Sequence, residues 1–534
     1  MKEVINEGIS RRSFLTGAAA AGLAAAAGLA GCAPGSAGAG AGGASDAEGG
    51  LPSEWDHETD VLIVGAGCAG LCAAVEALKR GVQVTVLDKR TMTGGDAVLS
   101  AGVFYASETQ HHRDAGITEN VSPEEFCAYL EAGGDDEPLN RVRDNSALSP
   151  IYYGITKHNP EIIKRNALES ANVIDFLDEN GVEFSDMSPV KPWQLVVKNG
   201  EMGKVLTKVA ADIVADGAEL MTDVRATKLY VNGEGRVVGL CAEEGGRTVN
   251  MKAATVILAT GGFLDNEYLM GRYLNYWSTI EKGFTAKGQG VYLDHTGDGI
   301  MMAKEINASL EDMSAGVKLY GGPADGATPP VSWIIFDTQP AYMVNEQGKR
   351  LVDENVRRYN GCALALLKSE SEAGYTIFDE KVFGNVAANE RFGLTAALEG
   401  GGLFKADTVA ELAAAVGIDA AGLEETVNRI NADVEAGVDS EFGKSGETFQ
   451  KLEPPYYISA PSVPLAYKTE GGIEVNENYQ VVEHTAEEVI PGLYAAGATV
   501  GSISARLGDC FNSGFIAGAC AADEAAGMVG GGAA

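Results

Sequence analysis

Three shortages in this sequence each remove a class of function. Basic residues are scarce: 40 Lys and Arg stand against 75 Asp and Glu, a formal net charge of -35. Such a chain repels phosphate backbones and anionic headgroups, which removes nucleic acid as a partner. Cysteines number eight in 534 residues, with no C-x-x-C pair and no C-x-x-C-H. The usual ligand spacing of a zinc ribbon, a ferredoxin-type cluster or an attached c-type haem is therefore missing, so an electron carrier of that kind must be another subunit. The N-terminal apolar run, Gly17 to Ala30, is too short and too rich in Ala and Gly for a spanning helix. No internal repeat is present. What the chain does have is 45% hydrophobic residues and a length beyond one ordinary domain, so two globular domains are expected.

The N-terminus reads as an address. Ser10-Arg11-Arg12-Ser13-Phe14-Leu15 resembles a twin-arginine export motif, and Leu29-Ala30-Gly31-Cys32 is similar to a bacterial lipobox. That resemblance implies lipidation of Cys32 and a mature protein held on the outer face of the cytoplasmic membrane. Two acyl chains, at ~0.8 kcal/mol per buried CH₂, are about what stable anchoring needs. A plain signal peptide with a chance cysteine is the alternative. Residues Ala33 to Gly50 are almost wholly Ala, Gly, Ser, Pro and acid, a tether with nothing to bury. The expected divisions are a signal over 1–32 and a tether over 33–54.

The most informative segment follows. Asp60-Val61-Leu62-Ile63-Val64 is an apolar run of buried parallel-strand type, continued by Gly65-Ala66-Gly67-Cys68-Ala69-Gly70 and a helical run from Leu71 to Arg80. Gly81 stops the helix, and Val82 to Leu87 is a second strand ending on Asp88. Gly65 makes the tight turn, Gly67 admits a pyrophosphate, Gly70 lets helix and strand approach, and the helix N-terminus supplies N–H donors. Asp88 falls where a carboxylate binds ribose hydroxyls. Strand, turn, helix, second strand and acid agree on a Rossmann-type α/β fold. Cys68 and Cys72 read as small core residues.

Glycine-rich Thr93-Gly94-Gly95-Asp96-Ala97-Val98-Leu99-Ser100-Ala101-Gly102 lets the backbone approach a flat ligand closely, which favours FAD over NAD. This segment resembles the G-G-N-S-x-x-S-G-G stretch of the fumarate reductase, urocanate reductase and ketosteroid dehydrogenase flavoproteins, with Asp96 and Ala97 in place of Asn and Ser. Ala259-Thr260-Gly261-Gly262-Phe263, Gly297-Asp298-Gly299-Ile300 and Pro491-Gly492-Leu493-Tyr494-Ala495-Ala496-Gly497 are similar to further motifs of that superfamily. The resemblance covers Asp60 to about Ala525. It implies non-covalent FAD held by Gly65, Ala66, Gly67, Ala69, Gly70, Asp88, Lys89, Gly94, Gly95, Asp96, Ala97, Ser100, Ala101, Gly102, Ala226, Thr260, Gly261, Asp298, Gly497 and Ala498. It also implies a two-dinucleotide-binding fold with an inserted α+β cap: FAD-binding parts over 55–270 and 455–527, a capping domain over 271–454 with helices at Val409 to Val416 and Ala421 to Ala436, and a tail over 528–534.

Gly348-Lys349-Arg350-Leu351-Val352-Asp353-Glu354-Asn355-Val356-Arg357-Arg358 looks like the G-x-R-F-V-N-E-x-x-x-R-D segment of fumarate and urocanate reductases, which implies Arg358 as the proton donor. Ala505-Arg506-Leu507-Gly508 is similar to the N-R-L-G-G segment whose arginine clamps a carboxylate bidentately. Other positions depart from the pattern. Trp333, Ile334 and Asp337 stand where a T-E-x-x-R relay belongs, no histidine occurs between Asp312 and Pro330, and Tyr467-Lys468 replaces a histidine pair. These departures point to an alkene bulkier and less anionic than fumarate, with Tyr467, Lys468 or Tyr342 sharing the site. The expected function is reduction of an activated C=C bond in extracytoplasmic respiration, fed by a separate haem or FMN subunit. A ketosteroid-type dehydrogenase and a non-catalytic surface lipoprotein receptor are the alternatives.

Overall fold

The computed structural model describes residues 50–100, 102–119, 121–131, 159–185, 192–198, 202–274, 294–314, 317–323, 333–355, 373–485, 488–501 and 506–531, with short pieces at 187, 331, 361–363, 365–366, 369 and 371. Cys32, Ala101 and Arg358 lie outside the described residues, as do the export motif and nearly all of the tether.

The main sheet is built around the apolar run seen in the sequence. His57–Val64 has Val61 to Val64 buried. It is central because it is apolar on both faces, and it pairs in parallel with Val84–Asp88 on one side and Arg247–Leu258 on the other. Glu219–Thr222 extends the sheet in parallel beyond Val84–Asp88, and Val489–Ala495 does so beyond Arg247–Leu258. Gln480–Val482 closes that edge antiparallel. An antiparallel meander, Val224–Val231 and Val237–Glu244, attaches to Arg247–Leu258 and completes the eight strands. Because the central strands are parallel, Val64, Asp88, Leu258 and Ala495 all end on one edge. In open α/β sheets that edge is where ligands bind.

Helix Cys68–Lys79 buries Ala69, Gly70, Leu71, Cys72, Ala73, Ala74 and Ala77, so Cys72 is a core residue as expected. The C-terminal helix Leu507–Gly531 lies against it at glycine distance. A Cβ on Gly514 would come 2.2 Å from the Ala69 carbonyl oxygen, and one on Gly518 would come 2.4 Å from that of Ala73. The first helix and the last thus touch backbone to backbone.

A second sheet has its own core. Tyr342–Val344, Tyr375–Asp379, Tyr456–Ser459 and Leu403–Ala406 pair antiparallel in that order. Helices Val409–Val416 and Ala420–Ala436 appear where their periodicity placed them. Thr408 and Asp419 cap their first turns, and Gly417 and Gly437, each with φ 75°, end them. Leu412, Leu423, Val427 and Ile430 pack with Tyr342, Val344, Ile377 and Ile458. Tyr456–Ser459 belongs to this sheet, and the chain rejoins the main sheet only at Gln480–Val482. No described helix is long and apolar enough to cross a membrane.

Candidate cofactor and active site

The first glycine loop shows which glycines serve the fold and which serve a ligand. Gly65 has φ 109°, and a Cβ there would lie 2.3 Å from the Ala259 carbonyl oxygen; one on Gly70 would lie 1.8 Å from that of Gly65. Both are required for close packing. Gly67 differs: among the described residues its Cβ would meet only the Gly95 Cα, at 3.8 Å. Gly67 keeps open the approach to the Cys68–Lys79 N-terminus, which has no side-chain cap, so first-turn N–H groups remain for an anion.

Asp88 is buried at the end of its strand. Its carboxylate accepts from the Ala66 N–H at 2.8 Å and the Arg90 N–H at 2.9 Å, with the Arg90 guanidinium 3.5 Å away. It ties strand end to loop while leaving lone pairs for a ribose. The second glycine segment joins the same surface, since Gly94 donates its N–H to the Ala66 carbonyl at 2.7 Å and bridges Gly67. Gly94 and Gly95 have φ 97° and 58°. Ala97 is buried and Ser100 Oγ accepts from the Gly102 N–H at 3.2 Å.

The other expected cofactor residues gather on this edge. Thr260 Oγ1 accepts from the Gly299 N–H at 3.1 Å, Gly261 donates to Thr499 Oγ1 at 2.9 Å, and Gly497 donates to Ser513 Oγ at 2.9 Å, with Ala498 half-buried beside it. Asp298 receives the Arg225 guanidinium at 2.7 Å, Lys89 at 3.3 Å and the Thr296 hydroxyl at 2.8 Å. Burial pushes the Asp298 carboxyl up, but Arg225, Lys89 and Thr296 outweigh it and hold the group below its ordinary value. Ala226 is buried in its strand opposite Ala242. Three glycine segments, an uncapped helix N-terminus and a buried acid on one edge fit a long dinucleotide carrying a flat ring system, which is FAD.

His295 belongs to this edge and was missed in the sequence. Its ring lies 2.6 Å from Asp96 through Nε2 and 3.9 Å from Asp265 through Nδ1. It directly precedes the Thr296-Gly297-Asp298 turn, but its partner is 199 residues away in sequence, so no local pattern marked it.

On the substrate side the expected residues are less united. Arg506, at the start of the Leu507–Gly531 helix, lies over the Tyr105 ring at 5.3 Å. Lys468 Nζ is 3.8 Å from the Glu470 carboxylate. Tyr467 lies on strand Ser462–Thr469, and its side chain is outside the described set. Tyr342 is elsewhere: it is wholly buried in the second sheet, its hydroxyl donates to the Gln450 carbonyl at 2.6 Å and accepts from the Gln450 N–H at 3.1 Å. The structure thus uses that hydroxyl internally. Burial, with Glu354 nearby, pushes its pKa up. Trp333 is 1% exposed and packs in the main core beside Gly374.

Arg350, in the segment leading to Arg358, anchors a buried ionic cluster. Its guanidinium donates to Glu354 at 3.0 and 2.9 Å and to Asp439 at 3.1 Å, while Lys444 Nζ donates to Glu354 at 3.2 Å and to the Ala341 carbonyl at 2.7 Å. Glu311, beside Gly472 in a two-stranded pairing, is another residue the sequence did not mark. Burial, with Glu474 and Asp312 close by, pushes its carboxyl up to about 8.

Comparison with known proteins agrees with this geometry. A family model described as an FAD binding domain matches residues 60–507. Urocanate reductase of Eggerthella lenta is 31% identical over 510 residues, covering 89% of this chain and 79% of the relative. NADH:acrylate oxidoreductase of Vibrio harveyi is 30% identical and covers 88% of this chain but 51% of itself, so this chain spans about half of that protein. Among solved structures, the open conformation of a flavocytochrome c3 fumarate reductase superposes with a TM-score of 0.69 at 24% identity, over 88% of this chain and 79% of that one.

Proposed function

This chain belongs to the FAD binding domain family and is an FAD-dependent oxidoreductase, and from that premise we propose that it reduces an activated C=C bond in an enoate or enone. Family membership removes the receptor alternative. FAD, when bound, supplies the hydride; the rest is the work of this chain's side chains. Arg506 carries the reading. Its planar guanidinium, held over Tyr105, is suited to gripping a carboxylate or carbonyl oxygen, the group that activates the alkene. Acrylate and urocanate, named for two relatives, are both unsaturated carboxylates. Arg358 then protonates the α-carbon. The missing relay charge at Trp333, Ile334 and Asp337 favours a substrate with fewer anionic groups than fumarate. The dehydrogenase alternative needs a tyrosine acid, and the occupied hydroxyl of Tyr342 argues against that one. We place FAD-binding and capping parts on the main and second sheets. Export by the twin-arginine motif, anchoring at Cys32 and supply of electrons by a separate haem or FMN protein complete the proposal.

The test is anaerobic reoxidation of dithionite-reduced protein by a panel of enoates and enones, followed at the flavin band. Arg358→Lys keeps FAD and reoxidation by a one-electron dye but loses about 10²–10⁴-fold in kcat for the alkene, the usual worth of a positioned acid. Failure of every alkene to reoxidise the protein overturns the reading. Near wild-type alkene reduction by Arg358→Lys removes that arginine from the role.

A further inference from the structure

We propose that His295 and Asp96 form a proton-coupled positioning pair, in which His295 takes up a proton when bound FAD is reduced and so keeps the Asp96 carboxylate neutralised. The two side chains differ in exposure. Asp96 is 49% exposed on the glycine segment whose Gly94 N–H is bonded to the phosphate loop, whereas His295 is 7% exposed behind it. Asp96 therefore lies on a segment joined to the first glycine loop, and its charge is answered from inside the protein by His295.

The imidazole is built in on both sides. Nε2 donates to Asp96 Oδ2 at 2.6 Å; the backbone N–H of His295 donates to Asp265 Oδ2 at 3.0 Å, and that carboxylate stands 3.9 Å from Nδ1. Nδ1 is buried and has no hydrogen-bond partner among the described residues. An acceptor carboxylate beside an otherwise idle ring nitrogen favours the doubly protonated ring. The other charges facing the pair are Arg90 and, toward Asp96, Lys468. Asp294 and Asp298 lie on the adjoining turn, and Lys89, just past strand Val84–Asp88, pairs with both. Burial alone would lower the His295 pKa, but the Asp96 hydrogen bond and charge, with Asp265, raise it. Burial alone would raise Asp96, but His295, then Arg90 and Lys468, lower it. Both directions describe an ion pair.

The balance is simple. Two electrons from an external reductant, dithionite in the test, and one proton reduce FAD to its singly anionic form. That added negative charge favours the cationic imidazole, so at a pH above the raised ring pKa of the oxidised enzyme, where His295 is mostly neutral, it gains up to one proton from solvent. Between the ring pKa in the oxidised enzyme and the higher one in the reduced enzyme, reduction consumes two protons per two electrons rather than one. Each extra proton is worth a tenfold change in the equilibrium per pH unit, ~30 mV for a two-electron couple.

The inference rests on FAD as cofactor and not on the identity of the alkene. The midpoint potential of the holoenzyme is measured against pH for wild type, Asp96→Asn, Asp96→Glu and His295→Gln, with flavin absorbance confirming that each is loaded. Labelled-histidine NMR follows the His295 ring. Wild type and Asp96→Glu should show a steeper segment above the ordinary imidazole range. Asp96→Asn and His295→Gln should not, and Asp96→Asn should weaken proton binding at His295 at least tenfold. A merely structural pair would leave these slopes equal. Equal slopes in all four proteins, or a wild-type ring that titrates at or below its ordinary value, overturn the proposal. Loss of alkene reduction with the steep segment intact overturns the substrate reading and supports this one.

Discussion

A methyl group at Gly67 and one at Gly70 have opposite consequences although the residues are three apart. At Gly70 it would enter the Gly65 carbonyl at 1.8 Å, so the loop or helix must shift; overpacking of that kind costs about 1–3 kcal/mol or more. At Gly67, where φ is -75°, alanine is unstrained and meets only Gly95 at van der Waals distance. Its methyl would instead cover the helix N-terminus. Gly67→Ala should therefore keep the thermal stability of the apoprotein to within roughly 0.5 kcal/mol, as harmless substitutions do, while losing FAD affinity at least tenfold. Gly70→Ala should lose both. Titration of the two apoproteins with FAD, alongside thermal melts, separates them; wild-type affinity in Gly67→Ala would return that glycine to an ordinary turn.

Among the elements, the ionic cluster around Arg350 ties the Arg350–Asn355 stretch to Asp439 and Lys444. Glu354 is wholly buried and accepts from Arg350, Lys444 and the Met343 N–H. Burial pushes its carboxyl up, but Arg350 and Lys444 outweigh that and hold it below its ordinary value. Its stabilisation is then complete above the unfolded carboxylate range and is lost as pH falls through the lowered folded value. Glu354→Gln removes the carboxylate that both buried cations donate to, leaving Asp439 and Asp353 to answer them, and should cost about 3–5 kcal/mol. Urea denaturation measures it, and Lys444→Met in the same chain should return part of the loss; a cost under about 1 kcal/mol would mean water already screens the cluster. The sequence showed the motif here but not this use of it. Legibility followed the range of the interactions. Val61 to Val64 declared a buried parallel strand because an apolar run is a local property, and the helices at Val409 to Val416 and Ala421 to Ala436 declared themselves by period. The second sheet did not, since its strands are short and come from Tyr342 to Ser459, with pairing set by tertiary neighbours. Tyr342 was drawn to the site by its nearness to a motif, and burial drew it into the core.

At the scale of the whole molecule, the Cys68–Lys79 helix near one end of the described chain meets the Leu507–Gly531 helix at the other. The first glycine loop opens the Cys68–Lys79 helix, and the Leu507–Gly531 helix that packs on it directly follows Arg506, so the proposed cofactor and substrate anchors flank one helix contact. The contact depends on glycine, because the Ala69 carbonyl leaves no room for a Cβ on Gly514. Gly514→Leu must separate the two helices. The first helix cannot yield without moving its N-terminus off the sheet edge, since its buried face is fixed against the core. The last helix cannot yield without carrying Arg506 with it. We expect Gly514→Leu to lower thermal stability and weaken FAD binding at least tenfold, though the substitution touches no cofactor-loop glycine. Gly527→Leu, exposed on the same helix with nothing within 4 Å of its Cβ, should do neither. FAD titration and melting of the pair decide the matter: if both variants bind FAD as wild type does, the helix contact is packing alone and the coupling between the chain ends is lost from the account.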